Sequence, residues 1–518
     1  MSASREKKRR QEQYQAGAPK GKNQPAEKKT PGWKIALYWV LGIVFVIAFA
    51  AVLLLNSNFF ARHTTAVTVG SHKLSPAMTD IYYSSSYANF YETYGDYISM
   101  FFDTDTPLKD QVYDESTGKS WSDYFMDDAK QSMVWAYTLY DKAVEEGYKL
   151  TDDEKSTIDA YVDSFKAAAE SYGFSSVNGY LAAYYGNGVN EKIYRDFLKV
   201  QLLATDYYSD KVAGFSFTDA DKSAFYAEHA ENYDTITLEY SYISGNVESK
   251  TETDEDGNEV TVDPTDEELD AAMEAAKAKA EEILAGGHDA MEEYDLRPVN
   301  DYTKSTLSYL IPSEASDWAF DSARQEGDME LFESASAYYV VRYLSRNNND
   351  YLTKNIRLIQ ITPATAETVN DADGNKDTEA TEAAQEANNS VAKAKAKSVF
   401  EEWQDGDATE DSFIALVEQY SDGELADGGL YENITNGEIT TEVSEWLYDE
   451  GRRAGDCQYF TGYDTCYIVY LLGDGLNCQS VLVEDDIVSD AYTTWYDEAS
   501  AAYPVADNDF GMKFVSLR

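Results

Sequence analysis

FIALVEQYSD at Phe413–Asp422, ADGG at Ala426–Gly429, NGEI at Asn436–Ile439 and CYIVYLL at Cys466–Leu472 form one continuous pattern. Its apolar residues first recur at helical spacing. A glycine-rich turn follows, and then an unbroken β-branched and aromatic run. A short helix near Glu442–Tyr448 and strands at Gln458–Phe460 and Cys466–Leu472 complete it. Upstream, IRLIQIT at Ile356–Thr362 reads as a strand, and helices span Ala384–Trp403 and Asp411–Tyr420. The order is strand, helices, strand pair. It occurs earlier as well, with TLEYSYIS at Thr237–Ser244, a helix capped by Thr265 and Glu268 that runs to Leu284, and strands at Met329–Phe332 and Tyr338–Leu344. Each copy carries an acidic insert, with Asp256-Gly257-Asn258 in the first and Asp373-Gly374-Asn375 in the second. An α+β module of roughly a hundred residues is therefore present twice.

Residues 64–235 read as helical. Phe125, Ala129, Met133, Ala136, Tyr140 and Ala143 make one stripe, and a capping box at Thr151 and Glu154 opens the next helix. That helix turns Ile158, Tyr161, Val162 and Phe165 inward; a third follows Asn190, and a fourth starts at Thr218. The first residues set the compartment. Ile35–Leu55 is an uncharged apolar run, long enough for one membrane crossing and too long for the core of a cleaved signal peptide. Residues 1–34 hold ten Lys or Arg against three acidic residues, which places them in the cytoplasm. The fold class is α+β multidomain: a basic tail (1–34), a transmembrane anchor (35–55), a helical lobe (64–235), two α+β modules (236–350 and 351–475) and a C-terminal helix and tail (476–518).

Composition narrows the function. With 42 Lys+Arg against 94 Asp+Glu, the net charge of −52 repels nucleic-acid phosphate. Four histidines, His63, His72, His229 and His288, leave little room for His-based catalysis. There is no nucleophile elbow, phosphate loop or zinc-binding HExxH, and no cofactor is called for. Glu252, Asp254, Asp256, Gly257 and Asp263 loosely mimic a calcium loop but also alternate like a hairpin around Asp256-Gly257, so no metal site is assigned. Cys457 and Cys466 flank Thr461-Gly462 symmetrically, so a cross-strand disulfide or two free thiols are the alternatives.

At this point the chain resembles the PrsA/SurA class of extracytoplasmic foldases, in which a helical chaperone lobe is joined to parvulin-type peptidyl-prolyl isomerase modules. The run from Ser412 to Leu472 carries most of the likeness. The resemblance implies a SurA-type helical domain at 64–235 and a proline-accepting groove at Tyr431, Ile434, Ile439 and Val443. The family's polar positions fall at Leu358, Gly423 and Tyr467 in the second module, and its two strand histidines at Tyr240 and Tyr339 in the first. No histidine follows His288, so the second module lacks the family's pair. His288 reads as a capping or surface residue. The barrier to prolyl rotation is ~18–20 kcal/mol, and lowering it requires holding the twisted amide better than the planar one. Weak or absent isomerase activity with retained peptide binding is expected. The partners implied are unfolded secreted polypeptides, the membrane and the secretion channel. The alternatives are a working isomerase and a surface adhesion or assembly scaffold.

Overall fold

The structure is a computed structural model that describes residues 40–41, 43–47, 57–253, 259–372, 374–422, 426–462 and 464–517. Among these no helix is long and apolar enough to cross a membrane. The basic tail and the Ile35–Leu55 anchor lie outside the described residues, apart from helical residues 40–41 and 43–47. The chain is mixed α+β and divides into two compact units. The first is residues 1–211 with 495–518, and the second is 212–494. Residues 64–211 of the expected helical segment thus fall in the first unit together with 495–518, and residues 212–235 in the second.

In the first unit, β1 (Val67–Val69) and β2 (His72–Leu74) lead into α1 (Pro76–Tyr94), capped by Ser75 with proline at its first position. Capping boxes at Ser120/Asp123 and Thr151/Glu154 start α2 (Trp121–Glu145) and α3 (Asp152–Ser171). In α2 the expected stripe forms the core: Phe125, Ala129, Met133 and Ala136 are fully buried against Tyr83 and Trp121. Tyr161 of α3, read as inward-facing, is exposed, because the core-facing stripe is Ile158, Val162, Phe165 and Ala169. The tail returns. Val505–Asp507 pairs antiparallel with β1, from Val67 opposite Asp507 to Val69 opposite Val505. Phe514 stacks on Phe60 at 5.1 Å, and Asp80 accepts the Ser516 N–H at 2.6 Å.

The second unit holds both modules. In the first module β3 (Thr235–Ser244), β4 (Arg297–Tyr302), β5 (Met329–Glu333) and β6 (Ala337–Asn347) form a sheet in the order β4-β3-β6-β5. In the second, β7 (Leu352–Ile361), β8 (Leu430–Ile434), β9 (Cys457–Thr461) and β10 (Cys466–Asn477) form one in the order β8-β7-β10-β9. Both sheets are antiparallel and share one topology. The match extends to irregularities. The β3·β4 ladder slips between Ile236 and Leu238, and the β7·β8 ladder between Lys354 and Ile356. Within each slip, on the partner strand, sits a left-handed residue, Asp301 at φ 56° and Asn433 at φ 58°. A second bulge follows Tyr343 in one copy and Leu471 in the other. A bulge serves a particular strand geometry, so two copies with the same bulges are one fold built twice.

The 250–253 and 259–262 segments pair as a hairpin, the second of the two readings of that acidic insert. The thiols do not pair: Cys457 lies opposite Tyr470 and Cys466 opposite Thr461. Four residues along a strand are about 13 Å, well beyond disulfide reach. All three cysteines are free.

Candidate functional site

The two faces of the second-module sheet are covered unequally. α4 (Thr378–Asp405) and α5 (Glu410–Tyr420) pack Ala396, Val399, Trp403 and Phe413 onto Ile359, Ile361, Ile468 and Tyr470. Among the described residues the opposite face receives only α6 (Thr441–Leu447), whose Val443 and Leu447 sit on Ile356, Leu358, Val469 and Leu471. A seven-residue helix spans only about 10 Å. It leaves Tyr431, Ile439, Trp446, Phe460 and Tyr467 half-buried at the rim. Phe460 and Tyr467 of this group border a cavity of about 380 Å³, lined also by Thr440, Glu442, Gln458 and Thr461, among others. Among the described residues lining it none is basic.

The turn before β8 sets this geometry. Gly428 and Gly429 have φ of 64° and 72°, and a Cβ on Gly429 would lie 2.5 Å from the Leu358 carbonyl oxygen. Only glycine allows this approach, which lets the Leu358 N–H donate to the Gly429 carbonyl at 2.9 Å. The Arg357 guanidinium fastens the turn by donating to the Asp427 and Gly428 carbonyls and to Glu410.

The proposed groove residues separate into two groups. Tyr431 and Ile439 are on the rim. Ile434 and Val443 are 3% and 0% exposed, so they are core and not groove wall. Each belongs to an element whose inward face carries it, Ile434 at the end of β8 and Val443 on the buried side of α6. Two of the three positions expected to form the polar floor, Leu358 and Tyr467, lie on neighbouring strands. Leu358 pairs with Val469, and Tyr467 is two residues along the same strand. Both side chains lie on the α6 face, Leu358 buried and Tyr467 half-buried. Gly423 lies outside the described residues. In the first module Tyr240 pairs with Val341, again with Tyr339 two residues along, and the two tyrosine rings are 6.1 Å apart. His288 is elsewhere: it begins a helix on the other face, 3.3 Å from Glu239 and 3.4 Å from Glu292.

One constellation was not anticipated. Trp446 meets Phe460 edge-on at 5.8 Å, with the Arg452 guanidinium 5.4 Å from the Trp446 ring. In the first module α7, taken as the helix Ser313–Phe320, carries Trp318, which meets Phe332 at 5.7 Å beneath Arg324 at 5.0 Å. Phe460 pairs with Tyr467, and Phe332 with Tyr339. The signal was in the chain all along. SEASDWAFDSARQEGDMELF at 313–332 and TEVSEWLYDEGRRAGDCQYF at 441–460 align without a gap.

A second cavity in this unit, of about 760 Å³, is polar. It is lined by Asp301, Asn347, Asn349, Tyr351, Glu445 and Tyr448, among others. Burial raises the Tyr351 and Tyr448 hydroxyls well above the ordinary tyrosine range, so they remain protonated donors. Among the described residues no cluster of His, Cys, Asp and Glu has the arrangement to hold a metal ion.

No protein-family model matches the chain, and no curated protein matches it. Among solved structures it is similar to the crystal structure of PrsA from Bacillus subtilis, at 15% identity over 46% of this chain and 78% of that one. The TM-score is 0.12, and a likeness at that level carries no argument.

Proposed function

We propose that this chain is a membrane-anchored extracytoplasmic chaperone of the foldase type, which holds unfolded secreted polypeptides on an apolar face of its second module. One observation supports this above the rest: the half-buried Tyr431, Ile439, Trp446, Phe460 and Tyr467 on one face, with Phe460 and Tyr467 lining an open cavity. Burying one large apolar side chain contributes about 1.5–3 kcal/mol, so a few such contacts give transient holding rather than tight capture. The acidic surface keeps a tyrosine-rich protein soluble and attracts basic clients. The family's histidine positions hold Leu358 and Tyr467, which offer no acid–base pair for twisting a proline amide.

The experiment is aggregation of a denatured protein in the presence of the full chain in detergent micelles, with a protease-free isomerisation assay on an Xaa-Pro peptide alongside. Suppressed aggregation, weakened by Ile439→Asp, with no acceleration of isomerisation is expected. Isomerisation accelerated by the native chain and abolished by Ile439→Asp would replace this reading with a working isomerase. No suppression at all would leave the scaffold reading standing.

A further inference from the structure

The cavity beside Phe460 runs along the rim of its sheet. Gln458, Tyr459, Phe460, Thr461 and Gly462, five consecutive residues, all line it. Among the described residues β9 pairs only with β10, so its other edge is open. At the middle of that edge the Tyr459 N–H takes no strand carbonyl. It donates to the side-chain Oε1 of the preceding residue, Gln458, at 3.2 Å. The duplicate has the same device. Among the described residues β5 is likewise an edge strand paired only with β6, and the Leu331 N–H donates to Oε1 of the preceding Glu330 at 3.1 Å. Each edge thus carries a side-chain acceptor where a neighbouring strand would place a carbonyl.

We propose that an extended polypeptide adds as a strand to the open edge of β9, and to that of its duplicate β5, displacing the Gln458 and Glu330 side chains. This deepens the chaperone reading and rests on it. Backbone donors and acceptors along a strand edge are complementary to any extended chain whatever its sequence, which suits a protein that must accept many clients. Side-chain contacts then select. An apolar residue of the client packs on Phe460 and Tyr467, or on Phe332 and Tyr339. A basic residue meets Glu442, whose counterpart in the first copy is Glu314. The occupant is a client and not a second copy, because two chains of net charge −52 repel each other.

The test uses the full chain in micelles and a fluorescent ten-residue peptide that alternates valine or phenylalanine with threonine and ends in lysines. Two further versions carry N-methyl groups, one on the odd and one on the even residues. A strand added to one edge uses only one of these two sets of N–H groups. One version is expected to lose at least about tenfold in affinity while the other stays within about twofold. A benzoylphenylalanine at the peptide centre is expected to cross-link within 457–467 and 329–339, and Glu442→Lys to weaken the lysine-ended peptide. Equal binding of both methylated versions, or loss of both, would overturn the proposal while leaving the chaperone reading intact. Self-association of the peptide-free chain that blocks the peptide would overturn it in favour of a second copy. No binding of the unmethylated peptide would remove the chaperone reading as well.

Discussion

Asp80 predicts how the C-terminal tail is held. The carboxyl is fully buried in α1, with Oδ1 accepting the Ser516 N–H at 2.6 Å and Oδ2 without a partner. Burial pushes its pKa up from 3.8 to about 7, against the pull of the Ser516 hydrogen bond. A carboxyl whose pKa is raised on folding binds a proton in the closed state that it has lost when open. The closed state is therefore favoured below the unperturbed pKa and loses that advantage as pH rises from about 4 to about 7, staying at its weakest above. The gap of about three pH units corresponds to about 4 kcal/mol, or about a thousandfold in the opening equilibrium. That is the ceiling, reached if opening fully hydrates the carboxyl. Asp80→Asn keeps the shape and has no proton to lose. Hydrogen exchange of the 505–517 segment in the full chain, corrected for intrinsic rates, is compared for the two proteins at pH 5 and pH 8. Protection in the native chain is expected to fall steeply relative to the variant over that interval. Parallel curves would refute the reasoning, because they would mean the carboxyl ionises without opposing closure.

Three other outcomes follow from burial and register. Val443→Asp places a charge in the second-module core and is expected to unfold that module, at a cost of several kcal/mol; Ile439→Asp on the rim is expected to keep the native circular dichroism. Arg346→Ala leaves the buried Asp234 without the guanidinium now 2.6 Å away, so denaturant unfolding of the first module is expected to come about 3–5 kcal/mol earlier. Three thiols are expected to titrate in denaturant without reductant, while in the folded chain Cys457 and Cys466 react slowly with maleimide near neutral pH, since burial raises both thiols.

Features encoded by neighbouring residues were legible in the sequence, and features set by distant ones were not. The capping boxes at Thr151/Glu154, Thr218/Asp221 and Thr265/Glu268 all form, because each is a local exchange of hydrogen bonds. The central strands were read within a few residues, because buried strands must be apolar. β4 (RPVNDY) and β8 (LYENI) were missed: both are short and polar edge strands whose state is dictated by the partner they pair with. The disulfide alternative failed on register. The ladder centres its hairpin two residues beyond Thr461-Gly462, so symmetry in the sequence did not become adjacency in the sheet. The groove was half legible. Tyr431 and Ile439 stay half-buried while Ile434 and Val443 are core, because which apolar residues α6 covers depends on where that short helix lands.

The duplication separates packing from function in a way that a single copy cannot. In the shared core several residues are exchanged, although Val341 recurs as Val469 and Ser316 as Ser444. Tyr240, Ala315 and Ala319 of the first copy become Leu358, Val443 and Leu447 in the second. The strand residue shrinks while the helix residues grow, and Leu307 fills further space where the second copy has Thr435. A core that must only be filled behaves in this way, since total volume matters more than identity. Trp318, Phe332, Tyr339 and Arg324 are not exchanged; they recur as Trp446, Phe460, Tyr467 and Arg452. The three aromatic residues in each set are only half-buried, so the volume constraint on them is weaker than in the core, yet their identity is kept. Both sets border a strand edge that pairs with no further strand among the described residues, where the proposed client strand would touch them.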